Sequence, residues 1–154
     1  MRGTKPRVES SVRRMEPRDA EAVWRLAAGL PDAAQWGADD FRRTAGGEYD
    51  SWVVECGVGI AGFLVARCMN DEMEILNMGV APERRRNKIG THLLEAALSA
   101  ARAKGTRKAY LEVRASNGGA IAFYARAGFQ RTGRRRNYYA VGREDAVVMC
   151  RSLD

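Results

Sequence analysis

Between Lys88 and Ala103, apolar residues recur at Ile89, Leu93, Leu94, Ala97, Leu98 and Ala101. This is the spacing of one helix face, and Gly105 stands where such a helix would stop. Ala22, Val23, Leu26 and Ala27 repeat the pattern after Pro17-Arg18-Asp19, and Gly29-Leu30-Pro31 closes it, so a first helix is predicted there. Shorter helices are predicted over Ala38–Thr44, broken by Gly46-Gly47, and over Asn117–Ala127, closed by Gly128. Alternating or continuous apolar runs predict strands at Val12–Met15, Ser51–Glu55, Ile60–Cys68, Glu74–Val80, Arg107–Arg114, Phe129–Thr132 and Ala146–Cys150. Gly57-Val58-Gly59 reads as a hairpin turn, and Asn137-Tyr138-Tyr139 as part of the loop between the last two strands. The order β-α-α-β-β-β-α-β-α-β-β predicts an α/β (mixed α+β) fold, a mixed sheet flanked by helices. Residues 1–10 read as a flexible basic arm and 11–154 as a single domain.

Composition narrows the setting. A chain of 154 residues, 45% hydrophobic and 29% charged, is ordinary for a globular protein with its own core. No apolar run approaches the roughly 18–20 residues that span a bilayer. The polar start MRGTKPRVES lacks a signal peptide's apolar core, so a cytoplasmic protein with no membrane partner is expected. Cys56, Cys68 and Cys150 lie far apart in apolar surroundings; buried free thiols are expected and no metal-ligand spacing appears. The net charge of +7 points to polyanionic company, a nucleotide-like cofactor or a ribonucleoprotein. Arginines cluster at Arg84-Arg85-Arg86, at Arg134-Arg135-Arg136 and in the N-terminal arm, and a solvated face is the plain alternative reading of such runs.

The first of those runs has a special context. Val80-Ala81-Pro82-Glu83-Arg84-Arg85-Arg86-Asn87-Lys88-Ile89-Gly90-Thr91 leads from a strand into the longest helix. A helix start exposes unpaired N–H groups at the positive end of its dipole, where a pyrophosphate can sit. The segment resembles the acetyl-CoA loop of the GCN5-related N-acetyltransferase family, Arg/Gln-x-x-Gly-x-Gly/Ala. Arg85 matches its first position and Gly90 its last, and Lys88 replaces the middle glycine.

Downstream lies LEVRASNGGAIAFY, Leu111 to Tyr124. Strand alternation sets Tyr110, Glu112 and Arg114 on one face and Leu111 and Val113 on the other. Glu112 is a carboxylate able to take a proton, Tyr124 a phenol able to give one, and Asn117 a polar anchor at a helix start. Each also has a plainer reading: a solvated strand carboxylate, a core aromatic, a helix cap.

LEVRASN, AIAFY, AGF, RRNYY and GREDAVVM together resemble the ribosomal-protein-alanine N-acetyltransferases of the RimI type, most closely from Asn77 onward. That resemblance implies Glu112 as general base and Tyr124 as general acid, with direct transfer and no covalent enzyme intermediate. It implies that Met78, Gly79 and Val80 hold the acetyl end of acetyl-CoA. Arg85 and the run Arg86, Asn87, Lys88, Ile89, Gly90 and Thr91 would hold the pyrophosphate, and Asn117 would also touch CoA. Trp36, Tyr138 and Tyr139 would flank the peptide entrance. The implied substrate is the N-terminal amine, alanine, of a small-subunit ribosomal protein. Alternatives are a broader N-terminal, lysine or small-amine acetyltransferase, or a basic binding module of the same fold with weak catalysis. The lack of interleaved aromatic and basic residues on one strand face argues against direct nucleic-acid binding.

Overall fold

The computed structural model describes residues 12–57, 59–139 and 143–154, with the backbone alone at Arg86. The predicted basic arm, Val58 of the hairpin turn and Gly142 of the late motif lie outside the described residues. The chain runs β1 (Val12–Arg14), a 3-10 turn (Pro17–Asp19), α1 (Ala20–Ala28), α2 (Ala38–Arg43), β2 (Asp50–Cys56), β3 (Gly59–Met69) and β4 (Glu72–Val80). A 3-10 segment (Pro82–Asn87) then leads into α3 (Ile89–Ala103), β5 (Lys108–Arg114), α4 (Gly118–Arg126), β6 (Gln130–Tyr139) and β7 (Glu144–Ser152). The strands form one seven-stranded sheet in the order β1-β2-β3-β4-β5-β7-β6. β1 pairs antiparallel with β2, and β7 antiparallel with both β5 and β6, whereas β4 and β5 are parallel. This is the mixed sheet with flanking helices that the element order predicts.

Two compact units are distinguishable. Among the described residues, one comprises residues 12–65 and Asn77–Ala97, the other Ala66–Leu76 and residues 98–154. The first is built on Val23, Phe41, Val53, Val54, Phe63, Leu64, Ile89, Leu93 and Leu94, all fully or almost fully buried. Phe41 and Phe63 meet edge to face at 5.6 Å, a geometry favoured by the ring quadrupoles. Two glycines allow its elements to close up. A Cβ on Gly62 would stand 2.8 Å from Ile89 Cγ2, and one on Gly79 would stand 2.6 Å from Leu30 Cδ1. The second unit buries Met73, Leu98, Ala109, Leu111, Phe129 and Met149. Its β5 alternates as predicted, with Ala109, Leu111 and Val113 inside and Tyr110, Glu112 and Arg114 half-buried on the other face.

Three expectations need correcting. Gly46-Gly47 does not simply break α2; the chain continues through a wide π turn over Thr44–Glu48 that kinks at Gly47, φ 107°. Asn137-Tyr138-Tyr139 lies in β6 rather than in a loop. β6 occupies the sheet's edge, and its strand state comes from pairing with β7, which no local apolar alternation reveals. Its arginines suit an edge, since charge discourages pairing with another chain. Finally, Cys56, Cys68 and Cys150 form no disulfide and are only half-buried, because they lie at or near strand ends or on the less covered face of a strand.

Candidate active site

In the first unit, β4 ends beside the segment that leads into α3. The Ala81 N–H donates to the Ala61 carbonyl at 2.8 Å. Strand pleating therefore turns the N–H of Val80 toward the edge of β4 away from β3. The register that pairs β4 with β5 covers Glu72–Ile75 against Lys108–Leu111. Met78 and Val80 are half-buried and Gly79 is buried against Leu30 and Phe63.

The Pro82–Asn87 segment stops at Lys88, whose backbone is left-handed (φ 57°, ψ 23°). A lysine there bears the Cβ crowding that glycine escapes. The Lys88 carbonyl accepts the first helical bond of α3, from His92 N–H at 3.0 Å. Helix geometry leaves the amides just ahead of His92, those of Ile89, Gly90 and Thr91, without an intrahelical acceptor. Arg84, Arg85 and Lys88 are exposed around this turn, Asn87 and Gly90 are half-buried, and Thr91 is exposed. The Ile89 side chain is committed to the core, so only its backbone can face a ligand. An amide-rich helix start ringed with cations fits a pyrophosphate.

Trp36, in the connection between α1 and α2, packs its ring 5.5 Å from Phe41 and 6.1 Å from Tyr49. With Asp40, Arg43, Glu48 and Tyr49 it lines a hollow of about 180 Å³. Both ring packing and a wall of this hollow thus describe it. The connection is fastened by Asn77, a residue the motifs do not single out. Its amide oxygen accepts from Ala34 N–H at 3.2 Å and its amide nitrogen donates to the Ala34 carbonyl at 3.3 Å.

The second unit gathers the acid–base candidates. Glu112 is nearly covered, its side chain 12% exposed, and receives the Arg135 Nε–H at 2.7 Å. The Tyr138 hydroxyl also donates to Glu112, which holds the phenol's proton more tightly than usual. Tyr139 is half-buried beneath the Arg114 guanidinium, 4.1 Å from its ring centre. Arg114 in turn pairs with Glu144 at 3.3 Å, and Glu144 accepts the Ser116 N–H at 2.7 Å. These bonds hold the Glu144 carboxyl below its ordinary range, the Ser116 bonds foremost.

Tyr124 is buried on α4 with its ring 5.6 Å from Phe129, and burial pushes its phenol well above the ordinary value. Asn117 caps α4, its side-chain oxygen accepting from Ala120 N–H at 3.1 Å. The cap reading therefore holds for Oδ1. Of the candidates, Glu112 and Tyr138 are tied into one network, and Tyr139 joins it through its edge-to-face ring contact with Tyr138 at 5.1 Å. Arg135 and Arg114 complete it, although sequence motifs gave no role to Arg135. A second hollow of about 110 Å³, lined by Arg67, Met69, Asn70, Glu72, Glu74 and Tyr110, contains none of the predicted site residues. Among the described residues no group of acidic, histidine or cysteine side chains could hold a metal ion, and no helix is long and apolar enough to cross a membrane.

Residues 12–129 match the acetyltransferase (GNAT) family. The chain belongs to this family. It is 32% identical over 142 residues to the [ribosomal protein bS18]-alanine N-acetyltransferase of Escherichia coli K12, covering 91% of this chain and 95% of the relative. The crystal structure of the Escherichia coli ribosomal-protein-S18-alanine N-acetyltransferase superposes with a TM-score of 0.82 at 31% identity, covering 93% of each chain. Arabidopsis thaliana NAA60 in complex with acetyl-CoA shares the fold, with a TM-score of 0.81 at 20% identity over 92% of this chain and 97% of that one. The GNAT chain described here is an N-acetyltransferase, and acetyl-CoA is the acetyl donor of its family.

Proposed function

We propose that this GNAT enzyme acetylates the α-amine of a protein N-terminus, an alanine of a small-subunit ribosomal protein, by direct transfer, and that it does so in the cytoplasm. The observation that carries this reading is Glu112: a nearly covered carboxylate on β5 already engaged by a cation and a phenol. Such a carboxylate can hold an ammonium and take its proton. The similarity to the Escherichia coli bS18-alanine enzyme supports the choice of substrate.

Acetyl-CoA supplies an activated acetyl carbon and a thiolate leaving group. The helix start at Ile89, Gly90 and Thr91, with Arg85, Arg86, Asn87 and Lys88, would hold its pyrophosphate, and the Asn117 amide would make a further contact. Met78, Gly79 and the Val80 N–H would line the acetyl end, the amide donating to the carbonyl oxygen as charge builds there. An N-terminal amine has a pKa of about 7.7–8.0 and is largely protonated near neutral pH. Glu112, directly or through a water, takes the proton that the amine sheds on forming its bond to the acetyl carbon. The Tyr124 hydroxyl, kept protonated by its burial, donates to the departing sulfur. Trp36, Tyr138 and Tyr139 would grip the peptide, and residues 11–154 would act as one catalytic domain.

The test is incubation with acetyl-CoA and a panel of N-terminal peptides, read by mass spectrometry. The Ala-led ribosomal peptide is expected to gain one acetyl group on its α-amine. An untouched Ala-led peptide beside modified competitors overturns the substrate assignment, and acetylation of lysine side chains alone overturns the N-terminal reading.

A further inference from the structure

The guanidinium of Arg135 lies where a substrate cation would have to go. Glu112 presents one well-covered carboxylate to solvent, and Arg135 Nε holds its Oε1 at 2.7 Å. Arg135 itself is 59% exposed, so it leans onto Glu112 from the sheet's edge without being packed there. The register explains its reach. Glu112, Val148 and Gly133 stand in one row across β5, β7 and β6, and Gly133 puts no side chain on that row. Arg135 follows two residues later. Beyond it β6 bulges between Arg135 and Tyr139, with Asn137 left-handed at φ 51° and its N–H bound to Asp145 at 2.9 Å. The bulge delivers the exposed Tyr138 to the same carboxylate, with the Arg135 guanidinium 5.7 Å from its ring.

We propose that Arg135 is a placeholder: it occupies the ammonium seat on Glu112 and must be displaced by the incoming amine. The inference rests on the reading of Glu112 as the group that receives that amine. A half-solvated arginine pair is weak, so displacement is easy for an ammonium held by the rest of a bound peptide. A lone small amine lacks that support. Arg135 thereby sets one entry cost for every amine, which a docked chain's other contacts offset and a lone small amine's do not.

The test uses the whole chain with CoA, a Ala-led peptide and its N-acetylated form, which has no ammonium. Calorimetry is run on wild type, Arg135→Met and Arg135→Lys. Arg135→Met is expected to bind the free-amine peptide roughly two- to five-fold more tightly, the range expected when an exposed competing ion pair is removed. The acetylated peptide should bind both proteins equally, and Arg135→Lys should restore the wild-type affinity. In steady state, KM for a small free amine and KM for the peptide should fall by the same factor. Weaker or unchanged binding of the free-amine peptide to Arg135→Met overturns the proposal, as does an equal change for both peptides. Normal acetylation by wild type alongside such a result would overturn the placeholder alone. If wild type neither binds nor acetylates the peptide, the substrate reading falls and the placeholder with it.

Discussion

Asn77 and Ala34, 43 residues apart in sequence, are joined by two hydrogen bonds that use both ends of one side-chain amide. Asn77 is buried on β4 and Ala34 lies in the α1–α2 connection, two residues before Trp36. The pair is a clasp on a segment with little regular structure of its own. Asn77→Ala would leave the half-buried Ala34 N–H without its acceptor, while the Ala34 carbonyl keeps the Trp36 N–H at 2.9 Å, so the cost should be about 1 kcal/mol. Urea unfolding should show that loss. Hydrogen exchange should show faster opening over residues 31–37 than over β2, whereas a uniform change across the first unit would deny the clasp a local role.

Acid stability has a separate anchor. Arg13 grips Asp19 with two bonds, at 2.7 and 2.9 Å, and the Glu16 N–H adds a third at 2.7 Å. The Arg13 bonds foremost hold the Asp19 carboxyl below its ordinary value. A depressed carboxylate stabilises the fold above its unfolded pKa of about 3.9, and the gain is lost as pH falls through the lower folded value. Asp19→Asn should therefore cost about 1–3 kcal/mol at neutral pH, the range for hydrogen bonds to charged groups. It should also flatten the loss of stability below about pH 4. Thermal melts of both proteins from pH 7 down to pH 2.5 would check this, and parallel curves would remove Asp19 from the acid response.

Lys88 sets backbone strain against charge. Its left-handed backbone costs about 1–2 kcal/mol that glycine would not bear, offset by about 0.5–1 kcal/mol of extra chain entropy in unfolded glycine. Lys88→Gly is expected to raise apo stability by about 0.5–1 kcal/mol in denaturant unfolding. If the lysine adds charge to the pyrophosphate seat, the same variant should bind CoA roughly two- to five-fold less tightly at low salt. The gap should close near 0.5 M salt, where the screening length is only about 4 Å. Calorimetry at both ionic strengths checks it, and equal affinities at low salt would reduce Lys88 to a strained spacer.

What could be read from the chain follows the range of each interaction. The α3 face and the β5 alternation are local periodicities, and both appear in the fold almost to the residue. Glu112, Asn117 and Tyr124 were legible as types in a strand–turn–helix frame, and the cap on Ala120 is itself a local bond. β6 was not legible beyond its first residues, because Arg134–Tyr139 carries no apolar face and becomes a strand only through β7. Arg135 on Glu112 and Asn77 on Ala34 depend on registers that bring distant segments together, so no spacing rule announces them.

Glu112 and Tyr124 should separate when each is altered alone. Glu112→Gln keeps the shape of the side chain but removes the proton acceptor, so turnover at neutral pH should fall by about 10²–10⁴-fold. Acetyl-CoA binding should stay close to wild type. Tyr124 is different, because its burial raises the phenol's pKa and makes full proton transfer to a thiolate uphill. Its contribution is then a hydrogen bond that strengthens as charge gathers on sulfur, worth about 1.5–3 kcal/mol, or roughly 10–150-fold in rate. Tyr124→Phe retains the ring contact with Phe129 and should preserve the fold while slowing turnover by that smaller factor. A donor of CoA with a more acidic thiol should narrow the Tyr124→Phe deficit and leave the Glu112→Gln deficit intact. Single-turnover rates with the two donors decide the point: equal narrowing in both variants would mean that the two residues do not divide acid and base work.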